Sequence, residues 1–193
     1  MATRADRRES VVRAAIDVIA EKGLGGTRIA DIAERAGMSP GHVLYYFDGK
    51  SAIFTRALRM IEDDLRAEAR AAFERLPAAA DRWAWLIEQA APTGPDDVRV
   101  LLWIEAWARA PREPDVSAVV IELDRRWVGL LVELVEYGRA TGEFRIADAQ
   151  EFAVRFAALV DGLTLQVVAG SQSLDRERMV DICMRQSVAE LRG

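Results

Sequence analysis

From end to end, the apolar residues of this 193-residue chain recur every three or four positions, and nowhere do they alternate. Alternation is what a half-buried strand requires, because successive side chains point to opposite faces. No Asn-Gly or similar hairpin turn separates two apolar runs either. The pattern predicts an all-α fold of about nine helices. With 51% hydrophobic residues and only 13 glycines and 6 prolines, the chain has the makeup of a packed protein rather than a low-complexity one. Its longest apolar stretch, Phe152 to Ala169, is interrupted by Arg155, Asp161 and Gln166, too polar for a membrane span. No membrane partner is expected. The opening MATRADRRES lacks the apolar core of a signal peptide, and the one cysteine, Cys183, cannot form an internal disulfide. Both features suit a soluble protein of a reducing cytoplasm.

The first helix is predicted over about Arg7 to Lys22, with Val12, Ile16 and Ile19 on one face and Gly23 closing it. Thr27 reads as the N-cap of a short helix carrying Ile29, Ile32, Ala33 and Ala36, which stops at Gly37. Ser39 caps a third, with Pro40 at its first helical position, where a missing N–H costs nothing. A long fourth helix starts near Asp48 to Lys50 and runs through Phe54, Leu58, Ile61, Leu65, Ala69, Ala72 and Leu76, ~40 Å at 1.5 Å per residue. Prolines 77, 92, 95, 111 and 114 then punctuate the chain around helices near Asp81 to Ala91 and Asp96 to Ala110. Three more follow, at about Asp115 to Arg139, Asp148 to Gly170 and Leu174 to Leu191. The expected organisation is a three-helix domain over 1–50 and a six-helix domain over 51–193. Residues 1–50 carry eight basic and seven acidic side chains, whereas 51–193 carry 18 and 24. A near-neutral head on an acidic body is compatible with a nucleic-acid partner where its few cations converge.

Between Thr27 and Phe47, two short helices flank the tight turn Ala36-Gly37-Met38-Ser39, the layout of a helix-turn-helix, whose second helix enters the major groove. Ile29, Ile32, Ala33, Val43 and Phe47 account for its apolar side. Ser39, Pro40, Gly41, His42, Tyr45 and Tyr46 are left facing outward. Small residues there allow close approach, and each phenol offers a hydroxyl beyond a packed ring. Two readings stay open for several of these. His42, the only histidine, is either a DNA contact or an ordinary surface residue; without a second His or a Cys in the motif, no metal is expected. Tyr45 and Tyr46 reach phosphate or serve domain packing, and Lys50 reaches phosphate or holds local helix geometry.

The run Gly23, Thr27, Ile29, Ile32, Ala33, Ala36, Gly37, Ser39, Gly41, Tyr45, Tyr46, Phe47 and Lys50 resembles the DNA-binding domain of the tetracycline-repressor (TetR) family of bacterial transcription regulators. The resemblance covers about residues 7 to 55. It implies that Ser39 to Tyr46 is the recognition helix, that Tyr46 and Lys50 contact phosphate, and that Thr27 and Arg28 form a backbone clamp. Leu44 departs from the pattern, where many members have tyrosine, and the run is more similar to the choline-responsive subgroup than to the drug-responsive ones.

In the body, the 148–170 helix is apolar nearly all round, with Phe152, Phe156, Leu159, Val160, Leu163 and Val167 on one stripe and Ala153, Ala157, Leu165 and Val168 on another. Such a helix must be buried on more than one side. The last helix carries Met179, Val180, Cys183, Met184, Val188 and Leu191. The preferred reading is a homodimer built on a four-helix interface of these two helices from each subunit, as the resemblance also implies; the alternative is a core within one subunit. The expected interface residues are Phe152, Phe156, Val160, Leu163, Val167, Val180, Cys183, Met184 and Val188. Trp103 and Trp107, one turn apart, wall a ligand cavity or are core. Glu105 and Asp161 face a cationic ligand, or solvent, or an internal arginine.

The function expected is a ligand-responsive, homodimeric repressor of a palindromic operator in double-stranded DNA, released by a small-molecule effector and needing no cofactor. The alternatives are a helical enzyme using body carboxylates, or a scaffold that has lost DNA binding. The enzyme is disfavoured, because the chain has no second histidine, no glycine-rich phosphate loop and no nucleophile elbow.

Overall fold

The computed structural model describes residues 3–192, and among the described residues it is helical with no strand. The helices are α1 (Arg4–Gly26), α2 (Ile29–Arg35), α3 (Pro40–Tyr46), α4 (Gly49–Phe73), α5 (Ala79–Ala90), α6 (Val98–Arg109), α7 (Pro114–Ala140), α8 (Ala149–Val168) and α9 (Arg176–Leu191).

Their ends follow from side chains that satisfy orphan backbone groups. α1 starts earlier than its apolar period suggests, because Thr3 and Asp6 cap it reciprocally: the Asp6 amide donates to Thr3 Oγ1 (3.1 Å) and the Thr3 amide to Asp6 Oδ2 (2.7 Å). Regular α1 geometry breaks at Gly23, where φ is 68°. α4 stops at Phe73 rather than Leu76, and the Arg82 guanidinium takes up the freed carbonyls of Phe73 (2.8 Å) and Leu76 (2.6 Å). The Glu143 carboxylate, from beyond the end of α7, accepts the amides of Ala79 (2.8 Å) and Ala80 (3.1 Å) at the start of α5. Those two amides hold it below its ordinary pKa.

The chain divides into two compact units. The first runs to Asp63 and takes in Leu101–Val120; the second holds Asp64–Val100 and the described residues from Ile121 onward. Val11, Ala15, Val18, Ile32, Ala33, Val43, Phe47 and Phe54 are buried in the first. The second is centred on Trp83, whose ring lies 4.9 Å from Phe156, 5.6 Å from Phe152 and 6.4 Å from Phe144. No described helix is long and apolar enough to cross a membrane.

Candidate nucleic-acid interface

Gly37 makes the turn between α2 and α3 possible. Its φ of 65° lies in the left-handed region that a side chain disfavours, and it lets the Met38 amide reach back to Ala33 O (2.8 Å). Ser39 then caps α3, its Oγ accepting the His42 amide (3.2 Å), with Pro40 at the first position. Val43 and Phe47 are buried beneath α3, as are Ile32 and Ala33 on α2, while Ile29 is half-buried. Ion pairs fasten α2 to α1: Arg35 Nη2 reaches both Glu21 oxygens (2.6 and 2.7 Å), its Nη1 lies 3.8 Å from Asp17 Oδ2, and Lys22 Nζ reaches Asp31 Oδ1 (2.8 Å). The Lys22 hydrogen bond and then the Arg28 amide hold the Asp31 carboxyl below its ordinary pKa.

On this base, Ser39, Pro40, Gly41 and His42 are exposed, as is Tyr45 at 65%. Tyr46 is half-buried. The three rings form one cluster, with His42 5.4 Å from Tyr46 and Tyr45 5.2 Å from Tyr46, edge to face. Leu44, where the sequence departs from the family pattern, is 52% exposed on the same helix. Two arginines of α1 join this face without any signal in the turn motif. The Arg4 guanidinium lies 5.5 Å from the Tyr45 ring centroid, and that of Arg8 lies 4.9 Å from Phe47. Their spacing of four residues at the start of an amphipathic helix is the one clue the sequence offers.

Two expected residues have other work. Thr27 is only 2% exposed and does not cap α2; its hydroxyl donates to Gly23 O (2.7 Å), which turns it inward and away from any backbone clamp. The N-cap of α2 is Arg28, exposed, whose amide is taken by Asp31 (2.8 Å). Lys50 is half-buried, and its ammonium donates to Leu24 O (2.9 Å) and Thr27 O (3.1 Å), pinning the α1–α2 turn.

In the second unit, Phe152, Phe156, Val160 and Cys183 are at most 4% exposed within a single chain. They fill that chain's own core, because the aromatic cluster around Trp83 claims this side of α8. The expected interface therefore loses these four. Leu163, Val167, Val180, Met184 and Val188 remain half-buried, and Val154 (51%) and Leu165 (38%) add an exposed apolar face on α8. In the first unit, Trp103 and Trp107 are half-buried on α6 with rings 5.7 Å apart. Glu105 lies near Arg109, which binds Glu113 (2.6 Å). Asp161 has no ion pair among the described residues, and burial and then the Asp124 carboxylate push its carboxyl up to about 6.

Residues 11–57 match the family model described as bacterial regulatory proteins, tetR family, and residues 79–192 match the one described as BetI-type transcriptional repressor, C-terminal. The HTH-type transcriptional regulator BetI of Klebsiella pneumoniae is 32% identical over 88% of this chain and 86% of its own length. Its counterpart in Escherichia coli K12 is 31% identical over 89% and 87%. A regulator from Saccharomonospora viridis, solved in complex with choline, superposes with a TM-score of 0.84 at 27% identity, covering 96% of this chain and 97% of its own. A TetR-family regulator from Rhodococcus sp. superposes at 0.82 and 28% identity, covering 97% and 99%.

Proposed function

The chain belongs to the tetR family of bacterial regulatory proteins, with a BetI-type C-terminal region, and on that premise we propose that it is a homodimeric, cytoplasmic repressor whose α3 reads a palindromic operator. The observation that carries this reading is the exposed face of α3, where Ser39, Pro40, Gly41, His42 and Tyr45 stand clear of a buried Val43 and Phe47. His42 and Tyr45 reach base edges or sugar, and Ser39, Tyr46, Arg28 and the α1 arginines Arg4 and Arg8 reach phosphate. The exposed face of α8, with Leu163, Val167, Val180, Met184 and Val188 beside it, meets a second copy, so that two recognition helices are held at a set spacing. It acts by binding, not by catalysis.

The effector is a small organic cation. Two things support this: the choline bound by the Saccharomonospora viridis regulator, and Asp161, a half-buried carboxylate repelled by that of Asp124. A cation beside Asp161 would relieve that repulsion, and the Trp103–Trp107 pair with Glu105 is the alternative aromatic seat. An effector shifts the operator equilibrium only as far as it favours one arrangement of the dimer. The test is a labelled duplex carrying a selected operator, titrated with protein at pH 7.5 with and without choline. Choline is expected to weaken binding, and less so below pH 6, where Asp161 is protonated. Operator affinity unchanged by choline at either pH would remove the cationic effector while leaving the DNA reading intact.

A further inference from the structure

The second unit carries 19 acidic and 14 basic residues, yet one of its clefts has the opposite sign. This cleft has a volume of about 250 Å³ and lies where α4, α5 and α7 meet. Arg66, Arg70 and Arg82 line it against a single carboxylate, Glu133, and Phe73 and Tyr137 supply its aromatic walls. Arg82 is fixed in place: two main-chain carbonyls hold its guanidinium, which lies 3.8 Å from the Tyr137 ring centroid and 5.4 Å from that of Phe73. None of these partners is an anion, so its charge is positioned without being neutralised. Tyr137 is itself locked, its hydroxyl donating to Pro77 O (2.6 Å). Arg66 anchors to Arg126 O (2.8 Å), and Arg70 is exposed with no carboxylate partner among the described residues.

A guanidinium over one ring and near another, with a second, exposed guanidinium lining the same cleft, is an arrangement suited to a carboxylate attached to an apolar or planar body. The fork of Arg70 takes the two oxygens, Arg82 adds its charge and the donors its two carbonyl partners leave over, and the rings and Leu130 and Leu134 take the rest. The volume is below the ~300–1,000 Å³ of sites for drug-sized molecules, which limits the body to about one ring or a short chain. We propose that the α4–α5–α7 cleft binds a small organic monocarboxylate through Arg70 and Arg82, a ligand opposite in charge to the effector proposed above and held at a different place. α4 is continuous from Gly49 to Phe73, and it begins three residues after the recognition helix ends.

The test is calorimetric titration of the full-length protein with sodium benzoate, sodium hexanoate, choline chloride and sodium phosphate, in parallel with Arg70→Glu. Arg70 is exposed and is not used to cap any helix, so the variant is expected to melt within a few degrees of the parent. Saturable binding of benzoate or hexanoate, unaffected by saturating choline or phosphate and weakened at least tenfold by Arg70→Glu, is the expected result. Arg70→Lys should retain part of the affinity, since it keeps the charge and loses the fork. Absence of saturable carboxylate binding, equal binding by phosphate, or affinity unchanged in Arg70→Glu would overturn the proposal. None of those outcomes touches the choline test, so the two ligand readings fail separately.

Discussion

At the scale of single residues, chemistry and burial disagree with pattern in two instructive places. Lys50 sits at a motif position that implies phosphate contact, yet its ammonium is spent on the carbonyls of Leu24 and Thr27. Lys50→Met is therefore expected to lower stability by about 1–3 kcal/mol, as two carbonyls lose a charged donor, and to leave the salt dependence of DNA binding unchanged. Chemical denaturation and a salt titration check the two halves; a salt slope reduced by ~1 in a variant of full stability would return Lys50 to the phosphate contacts. Asp161 presents the reverse case, a charge with too little compensation. Its folded pKa of about 6 exceeds the ordinary 3.8, so the folded state binds a proton more readily than the unfolded one. The carboxylate thus costs stability above pH 6, a cost that disappears as the pH falls through the ordinary value. Asp161→Asn should raise the melting temperature at pH 8 and give no gain near pH 4. A gain that is equal at both would show that the charge is not the cause.

Among elements, the helices of the described residues were legible because a 3.6-residue period needs no tertiary information, and the α2–α3 turn was legible because Gly37, Ser39 and Pro40 each have a local reason to be there. What the period does not reveal is which apolar side of a helix faces its own chain. α8 is apolar nearly all round, and only the position of Trp83 on α5 decides that Phe152, Phe156 and Val160 turn inward. Helix ends escaped for a related reason. Glu143 caps α5 from 64 residues away and Arg82 closes α4, partnerships that no local window contains. The same logic hid Arg4 and Arg8, which meet the Tyr45 and Phe47 rings only once α1 packs beside α3. The two sides of α8 make opposite predictions. Phe156→Ala is expected to cost ~3–5 kcal/mol of stability through the cavity it leaves. Leu165→Arg should leave the chain folded and shift it from dimer to monomer. Denaturation and sedimentation measure these directly, and a Leu165→Arg protein that stays dimeric would place the contact between copies elsewhere.

On the scale of the whole molecule, the proposed function rests on joining two unlike surfaces: a small helix that would offer rings and short side chains to a groove, and an apolar face that would fix the distance to a second copy. Near-neutral charge in the first 50 residues places the burden on a few well-aimed groups rather than on bulk attraction. Specificity should then come from His42 and Tyr45, and spacing from α8 and α9. Both belong to one experiment, selection of bound duplexes from a random-sequence pool by the purified protein at low ionic strength. An inverted repeat, with half-sites about one helical turn apart and bound by two chains, is the predicted product. A pool that shows no enrichment, or a single unrepeated site bound by one chain, would contradict it.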